Sequence, residues 1–259
     1  MDLKNRTAIV TGGGQGIGEA ISLCFGRNKA NVVVADTNLE PAQRVAKKIT
    51  EEFNASATAV KVDVANQFEV ESTVKQILEK YKKIDILINN AGISPRNPKR
   101  GRTPVYEIAI DEWHRVLNVN LMGAFYCSKA VIPSMIKNRK GWIVNISSIV
   151  GKTGSGGGSA GAHYAASKAG LISLTQSMAR ELAEYGILVN TICPGLVDTP
   201  LRATSSPEVN KKLLEGVPLG RLAKPEEIAN VVLFLVSESA SYITGEILDV
   251  NGGLLIDNS

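Results

Sequence analysis

The stretch "HYAASKAG" places Tyr164 and Lys168 four residues apart near the start of a helical pattern, so both side chains emerge on one face. A phenol titrates near pKa ~10, too high for a base at neutral pH, but a neighbouring ammonium favours its phenolate form. Together they would make an acid/base pair. A tyrosine and a lysine at this spacing are common on ordinary helices, so the pair acquires meaning only from what surrounds it. Upstream, Ser148 closes the apolar run "GWIVNISS", and open α/β sheets place their ligands at the carboxyl ends of strands. A hydroxyl there could polarise a carbonyl oxygen.

These residues need a scaffold. Short β-branched runs, "TAIVT", "NVVVA", "ATAVKV", "IDILIN", "GWIVNI", "ILVNTI" and "EILDV", alternate with segments whose apolar residues recur at helical spacing. The middle runs are apolar at nearly every position, as strands covered on both faces must be. The pattern predicts a Rossmann-type doubly wound parallel sheet in a three-layer α/β/α sandwich. The glycine- and serine-rich tract between Ser148 and Tyr164 could be a linker, but the alternation resumes directly after it, with "AASKAGLISLTQSMARELAEYG" ending at Gly186 as a helix should. One domain spanning residues 1–259 is therefore expected.

In "TAIVTGGGQGIGEAI", Gly12, Gly16 and Gly18 follow the first strand and open the first helix. Glycines there allow a tight turn and let the backbone approach a diphosphate, whose charge then faces free N–H groups at the helix amino terminus. Taken alone the turn is an ordinary strand-to-helix connection, but strand and helix stand where the motif requires them. The second strand ends in Asp36, eighteen residues after Gly18. A carboxylate at that point can accept both ribose hydroxyls of an adenosine and repels a 2′-phosphate, so NAD is expected over NADP. Neither "GGGQGIG" nor the residues just after Asp36 offer a lysine or arginine to such a phosphate. The competing reading is that Asp36 only ends its strand ahead of a helix capped by Thr37 or Asn38. Asp63, after the third strand, could reach an adenine edge or serve as a cap.

Composition narrows the classes. Hydrophobic residues make up 44% and charged ones 21%, which suits a globular chain and argues against disorder. The net charge of +4 comes from basic residues scattered among 25 acidic ones, so no nucleic-acid partner is expected. Cys24, Cys127 and Cys193 are far apart and fit neither a disulfide framework nor a CxxC motif, and the first residues carry no apolar signal core. A reducing, cytoplasmic setting is the expectation. The longest aliphatic run, "VVLFLV", is too short to span a bilayer, so no membrane is expected either. His114 and His163 stand in no ligand-spaced cluster; both read as solvent-edge residues, and no metal is expected.

"TGGGQGIG", "NNAG", "NISS", "YAASK" and "NTICPG" occur in order along the chain, and together they resemble the short-chain dehydrogenases/reductases. The resemblance implies Tyr164 as catalytic acid/base, Lys168 as the residue that holds the nicotinamide ribose and lowers the tyrosine pKa, and Ser148 as the hydroxyl on the substrate oxygen. Ser147 competes for that last role, although strand alternation points the two serines to opposite sides. Asn120 resembles the asparagine that props a water in a proton relay. Among cofactor contacts the resemblance implies Ile17, Val64, Asn90, Ala91, Gly92, Pro194, Gly195, Val197 and Thr199 beside the glycines and Asp36, with Asn89 bracing the sheet instead. It further implies a homotetramer, a lid near residues 196–222, and reversible hydride transfer between nicotinamide and a carbinol carbon.

Two features depart from the family pattern. Ser148 and Tyr164 are 16 positions apart, a few more than usual, with extra glycines at 154–161 that are expected to rim the substrate pocket. The connection "ISPRNPKRGRTPVYEIAIDEW" carries Arg96, Lys99, Arg100 and Arg102, which reads either as a solvated loop or as a basic rim for an anionic substrate. The leading expectation is an NAD-dependent oxidoreductase for a secondary alcohol or its ketone. A 3-oxoacyl thioester (acyl-carrier-protein) reductase and a catalytically silent NAD-binding regulatory protein are the alternatives. Asp36 tilts the balance toward oxidation, since reductive biosynthesis commonly draws on NADPH.

Overall fold

The computed structural model describes residues 1–95, 102–154, 160–200 and 213–256. Within them, strands β1 (Thr7–Thr11), β2 (Asn31–Asp36), β3 (Ala57–Lys61), β4 (Ile86–Asn89), β5 (Gly141–Ile146), β6 (Ile187–Pro194) and β7 (Ile247–Val250) form one sheet in the order β3-β2-β1-β4-β5-β6-β7. Every neighbouring pair is parallel. The order reverses between β1 and β4, and such a switch point opens a crevice at the carboxyl ends of the strands.

Helices cover both faces, which is why the central strands are apolar at nearly every position. On one side, Ala8, Val10, Val32 and Val34 pack with Ile21 and Phe25 of α1 (Gly16–Arg27), Val45 and Ile49 of α2 (Leu39–Phe53) and Ile228 and Val232 of α8 (Pro225–Leu235). The alternate residues Ile9, Val33 and Ala35 face the other side. They meet Val70, Val74 and Ile77 of α3 (Gln67–Tyr81), Val131 and Met135 of α5 (Gly123–Asn138) and Met178 of α7 (Ala162–Leu182). The two-residue period of each strand thus feeds two separate cores.

Local signals set the boundaries. Asn38 caps α2 by accepting from the Glu40 N–H at 3.3 Å, and Asn66 caps α3. A 3-10 turn (Ala183–Tyr185) continues α7 to Gly186, at φ 71°, where a Cβ would lie 2.6 Å from the Arg139 carbonyl oxygen. The long helical segment ahead of β5 is not regular. It comprises α4 (Ile110–Leu117), a π-helical turn (Asn118–Met122) and α5. Such bulges commonly sit at functional sites. The joined helix of 29 residues is long and apolar enough to cross a membrane by length and composition alone, a test that the core helix of a globular protein also passes. Here its apolar face lies on the sheet and α3, burying Val116, Ala124, Cys127, Val131 and Met135. All three cysteines are free thiols. A short helix, α6 (Ile149–Thr153), follows β5.

Candidate active site

A cleft of about 1250 Å³ runs along the carboxyl ends of the strands, and nearly all the residues singled out in the sequence line it. At one end, Gly12 and Gly16 take φ of 61° and 57°, conformations that L side chains rarely adopt. Gly18 is not on the cleft surface. Its role is contact: a Cβ there would lie 2.0 Å from the Gly12 carbonyl oxygen, so any other residue would push the turn out of shape. Gln15 makes no side-chain cap at the start of α1, which leaves first-turn N–H groups facing the cleft beside Ile17.

Side chains brace this turn from both sides. Thr11 Oγ1 accepts from the Asn90 and Ala91 N–H groups at 3.0 and 3.1 Å, while Asn90 Nδ2 donates to the carbonyls of Thr11 and Gly12 at 2.9 and 3.1 Å. Asn90 lines the cleft, but its amide hydrogens are spent on holding β1 to β4. Asn89 braces the sheet: its Nδ2 donates to Ser128 Oγ and Asn145 Oδ1. Asp36 Oδ2 accepts from the Gly14 N–H at 3.0 Å and Oδ1 from the Asn38 N–H at 3.0 Å, so one carboxylate ties β2 to the glycine turn. A nearby cation escaped the sequence reading. Arg44, on α2, donates to the Gly14 carbonyl at 3.1 Å and pairs with Glu19 at 3.0 Å. Asp63 accepts from the Ala65 N–H at 2.9 Å, a local turn contact, while facing the cleft with Val64.

At the other end, Ser148 is the N-cap of α6, its Oγ accepting from the Val150 N–H at 3.2 Å. Ser147 donates to the Lys168 carbonyl at 2.8 Å and is buried against α7. Both serines border the cleft; among the described residues Ser147 spends its proton on the Lys168 carbonyl, whereas the bond of Ser148 Oγ is one it accepts. Lys168 is 3% exposed; its Nζ donates to the Ile146 carbonyl at 2.7 Å and lies 5.7 Å from the Tyr164 ring centroid. Burial lowers its pKa from 10.5 to about 8, against an opposing influence from Cys193. Gly92 lies beside Lys168: a Cβ there would be 3.5 Å from that Nζ, an ordinary contact distance. Asn120 sits in the π turn, 1% exposed, behind the cleft wall. Its Oδ1 accepts from the Ile93 N–H at 2.8 Å, and its Nδ2 donates to the Ile93 carbonyl and Ser167 Oγ, each at 3.0 Å.

The loop after β6 closes the space between the ends. Pro194, Gly195, Val197 and Thr199 all line it. Gly195 passes so close to Asn251 that a Cβ would meet its Cα at 2.8 Å, and Val197 bridges in parallel to Ala223. Arg96, Lys99 and Arg100, most of the 154–161 tract, and the centre of the expected lid fall outside the described residues. Asp111, His114, Arg115 and Asn118 also line the cleft, a wall the sequence reading passed over. Their mutual spacing of three and four residues along one helix was the available signal.

His163 corrects an expectation. Far from a solvent edge, its side chain is fully buried, with Nε2 3.0 Å from Glu112 Oε1 and Nδ1 accepting from the Tyr164 N–H at 2.8 Å. His114 is exposed at the cleft rim. Among the described residues no group of three or more His, Cys, Asp or Glu could hold a metal ion.

Known proteins share this arrangement over the whole chain. Residues 12–255 match the family described as enoyl-(acyl carrier protein) reductase. A 3-oxoacyl-[acyl-carrier-protein] reductase of Aquifex aeolicus is 41% identical over 253 residues, covering 97% of this chain and 98% of that protein. Its counterpart in Thermotoga maritima is 37% identical over 256 residues, 99% of this chain and 100% of the relative. The crystal structure of a 3-oxoacyl-[acyl-carrier protein] reductase from Brucella melitensis superposes with a TM-score of 0.92 at 38% identity, over 99% of this chain and 93% of that one. A reductase of the same description and organism with bound NAD gives 0.90 at 38% identity, over 98% and 92%. Fold, cleft and relatives agree: the chain belongs to the short-chain dehydrogenase/reductase family, whose members are oxidoreductases acting on CH–OH or keto carbons with a nicotinamide cofactor.

Proposed function

We propose that this protein reduces a 3-oxoacyl thioester to the 3-hydroxyacyl thioester with NADH. The observation that carries the chemistry is the convergence of Ser148, Tyr164 and a fully enclosed Lys168 on the cleft that also holds the glycine turn. The substrate class is supported by full-length similarity to 3-oxoacyl-[acyl-carrier-protein] reductases. That similarity moves the reading from the oxidation of a secondary alcohol toward the reductive alternative.

The residues fit a dinucleotide. Gly12 and Gly16 leave room for a diphosphate, and Gly18 admits no Cβ. Asp36 would accept the adenosine ribose hydroxyls, and its charge disfavours a 2′-phosphate. Asp63, Val64, Ala91 and Gly92 line the middle, and Pro194, Gly195, Val197 and Thr199 the far end. When bound, the nicotinamide supplies the hydride for the keto carbon. Ser148 Oγ holds the keto oxygen and Tyr164 gives it a proton, each acting through preorganised hydrogen bonds. The Lys168 ammonium favours the phenolate that remains, and Asn120 anchors the wall through which the proton is replaced. Ser148, Tyr164 and Lys168 on one cleft speak against a catalytically silent regulatory protein.

A second reading keeps a specific support. Asp36 points to NAD, which suits the same site run in reverse on a secondary alcohol. The test is a steady-state comparison of an acetoacetyl thioester with NADH and NADPH against a panel of secondary alcohols with NAD and NADP. Thioester reduction with an NADH preference is expected; turnover confined to the alcohols would replace the proposal with the second reading. Within the family reading we also assign a single domain over residues 1–259 with a lid near 196–222, a cytoplasmic setting and a homotetramer. The free thiols and the apolar side chains of Val105, Tyr106, Ile110 and Phe125, exposed on the single chain, support the last two assignments.

A further inference from the structure

The imidazole of His163 is fully buried, yet it is neither a metal ligand nor a lining residue of the cleft. Its two nitrogens have different partners. Nδ1 accepts from the N–H of Tyr164, at 2.8 Å, so Nε2 carries the ring proton and donates to Glu112 Oε1, at 3.0 Å. Helix α7 begins at Ala162 with Gly161 as its N-cap, a residue with no side chain to satisfy the first-turn N–H groups. The Gly161 carbonyl accepts from the Tyr164 N–H at 3.1 Å, and the imidazole shares that donor at the shorter distance, from inside the helix. A Cβ on Gly161 would lie 2.5 Å from its Cε1 and 2.8 Å from its Nδ1, so the glycine is the space the ring occupies. The Trp113 ring stands beside it, centroids 6.4 Å apart.

Glu112 and Trp113 belong to α4, the helix whose Asp111, His114 and Arg115 form a wall of the cleft. One imidazole therefore joins the cleft wall to the backbone of the residue that bears the phenol. We propose that His163 is a positioning residue for Tyr164, held in its tautomer and orientation by Glu112, so that the phenol meets the substrate oxygen at the distance proton transfer needs. This rests on the acid/base role assigned to Tyr164 above. The effect belongs to turnover more than to cofactor affinity, because the glycine turn and Asp36 lie on other elements and Lys168 is held independently by its bond to the Ile146 carbonyl.

The test measures kcat, KM for the thioester, the dissociation constant of NADH and the melting temperature. The proteins compared are wild type, His163→Ala, His163→Asn, Glu112→Ala, Glu112→Gln, Gly161→Ala and Tyr164→Phe. His163→Ala and Gly161→Ala are expected to lower kcat about tenfold or more, the cost of misplacing a reacting group by a fraction of an ångström. NADH affinity should stay within about twofold in both. Asn at 163 places an oxygen near the Nδ1 position, and Gln at 112 keeps an acceptor for Nε2–H, so both should recover most of the rate that the alanines lose. Because Glu112 is partly exposed, its pair of variants carries the test if the buried substitutions do not fold. Wild-type kcat in His163→Ala or Glu112→Ala, with Tyr164→Phe inactive, would overturn the positioning role alone. Parallel loss of kcat, NADH affinity and melting temperature without rescue by Asn or Gln would overturn it as well, leaving a packing residue. An active Tyr164→Phe would instead bring down the assignment on which the inference stands.

Discussion

Over β1 and α1 the cleft is made of backbone: Gly12 and Gly16 at positive φ, Gly18 against a carbonyl, and N–H groups at the helix start. Over β5 and α7 it is made of side chains, a serine, a tyrosine and a lysine, each fixed by hydrogen bonds or packing from below. The glycine end depends on what is missing, and little but steric exclusion protects it. The tyrosine end depends on groups whose protonation and direction must be set, which is why Lys168, Asn120 and His163 are all nearly or fully buried there. A mutation in the first region should therefore act on binding, and one in the second on turnover.

The largest effect should come from removing the phenol oxygen. Tyr164→Phe is expected to lower kcat by about 10³-fold, within the range of general acid/base catalysis, in a steady-state assay with the thioester and NADH. Retained turnover would erase the distinction between the two ends. Next in size, Gly18→Ala drives a methyl into the Gly12 carbonyl and should cost about 1–3 kcal/mol in an overpacked turn, read as weaker NADH binding and a lower melting temperature. An unchanged titration would mean the turn does not hold the diphosphate.

How much of this was legible in the sequence divides along the same line. The glycine turn, the strands and the Tyr164/Lys168 pair were readable because φ > 0, two-residue alternation and helical spacing are local properties. Asp36 was readable as the end of its strand, but its bond to the Gly14 N–H was not, since that contact joins residues 22 positions apart. The π turn around Asn120 and the burial of His163 were hidden for the same reason. Both depend on α4 packing beside α7, and no local rule brings Glu112 to His163 across 51 positions. The cleft wall of Asp111, His114 and Arg115 carried a helical spacing signal that charge and length alone made look like surface.

A smaller effect tests the adenosine side. Asp36→Asn removes a charge that repels a 2′-phosphate and should strengthen NADPH binding about tenfold, the scale of one partly screened contact between like charges. Competition titrations with NADH and NADPH read it; an unchanged ratio would shift the selectivity to Arg44 or elsewhere. The smallest effect concerns stability. Burial holds Lys168 at about 8, below its unfolded value of 10.5, so the unfolded chain binds the proton more tightly and folding carries a penalty that is full below pH 8. The penalty fades as pH rises from about 8 to 10.5. Lys168→Met should therefore gain about 5 °C in melting temperature over wild type at pH 7, and the gap should narrow above pH 8 while turnover stays lost.

The separation of binding from turnover is tested most directly by titrating NADH fluorescence against the Tyr164→Phe protein. A dissociation constant within about twofold of wild type, in a protein that no longer reduces the thioester, is the expected result. If NADH affinity falls in step with the rate, the two ends of the cleft are one coupled unit and the account is wrong.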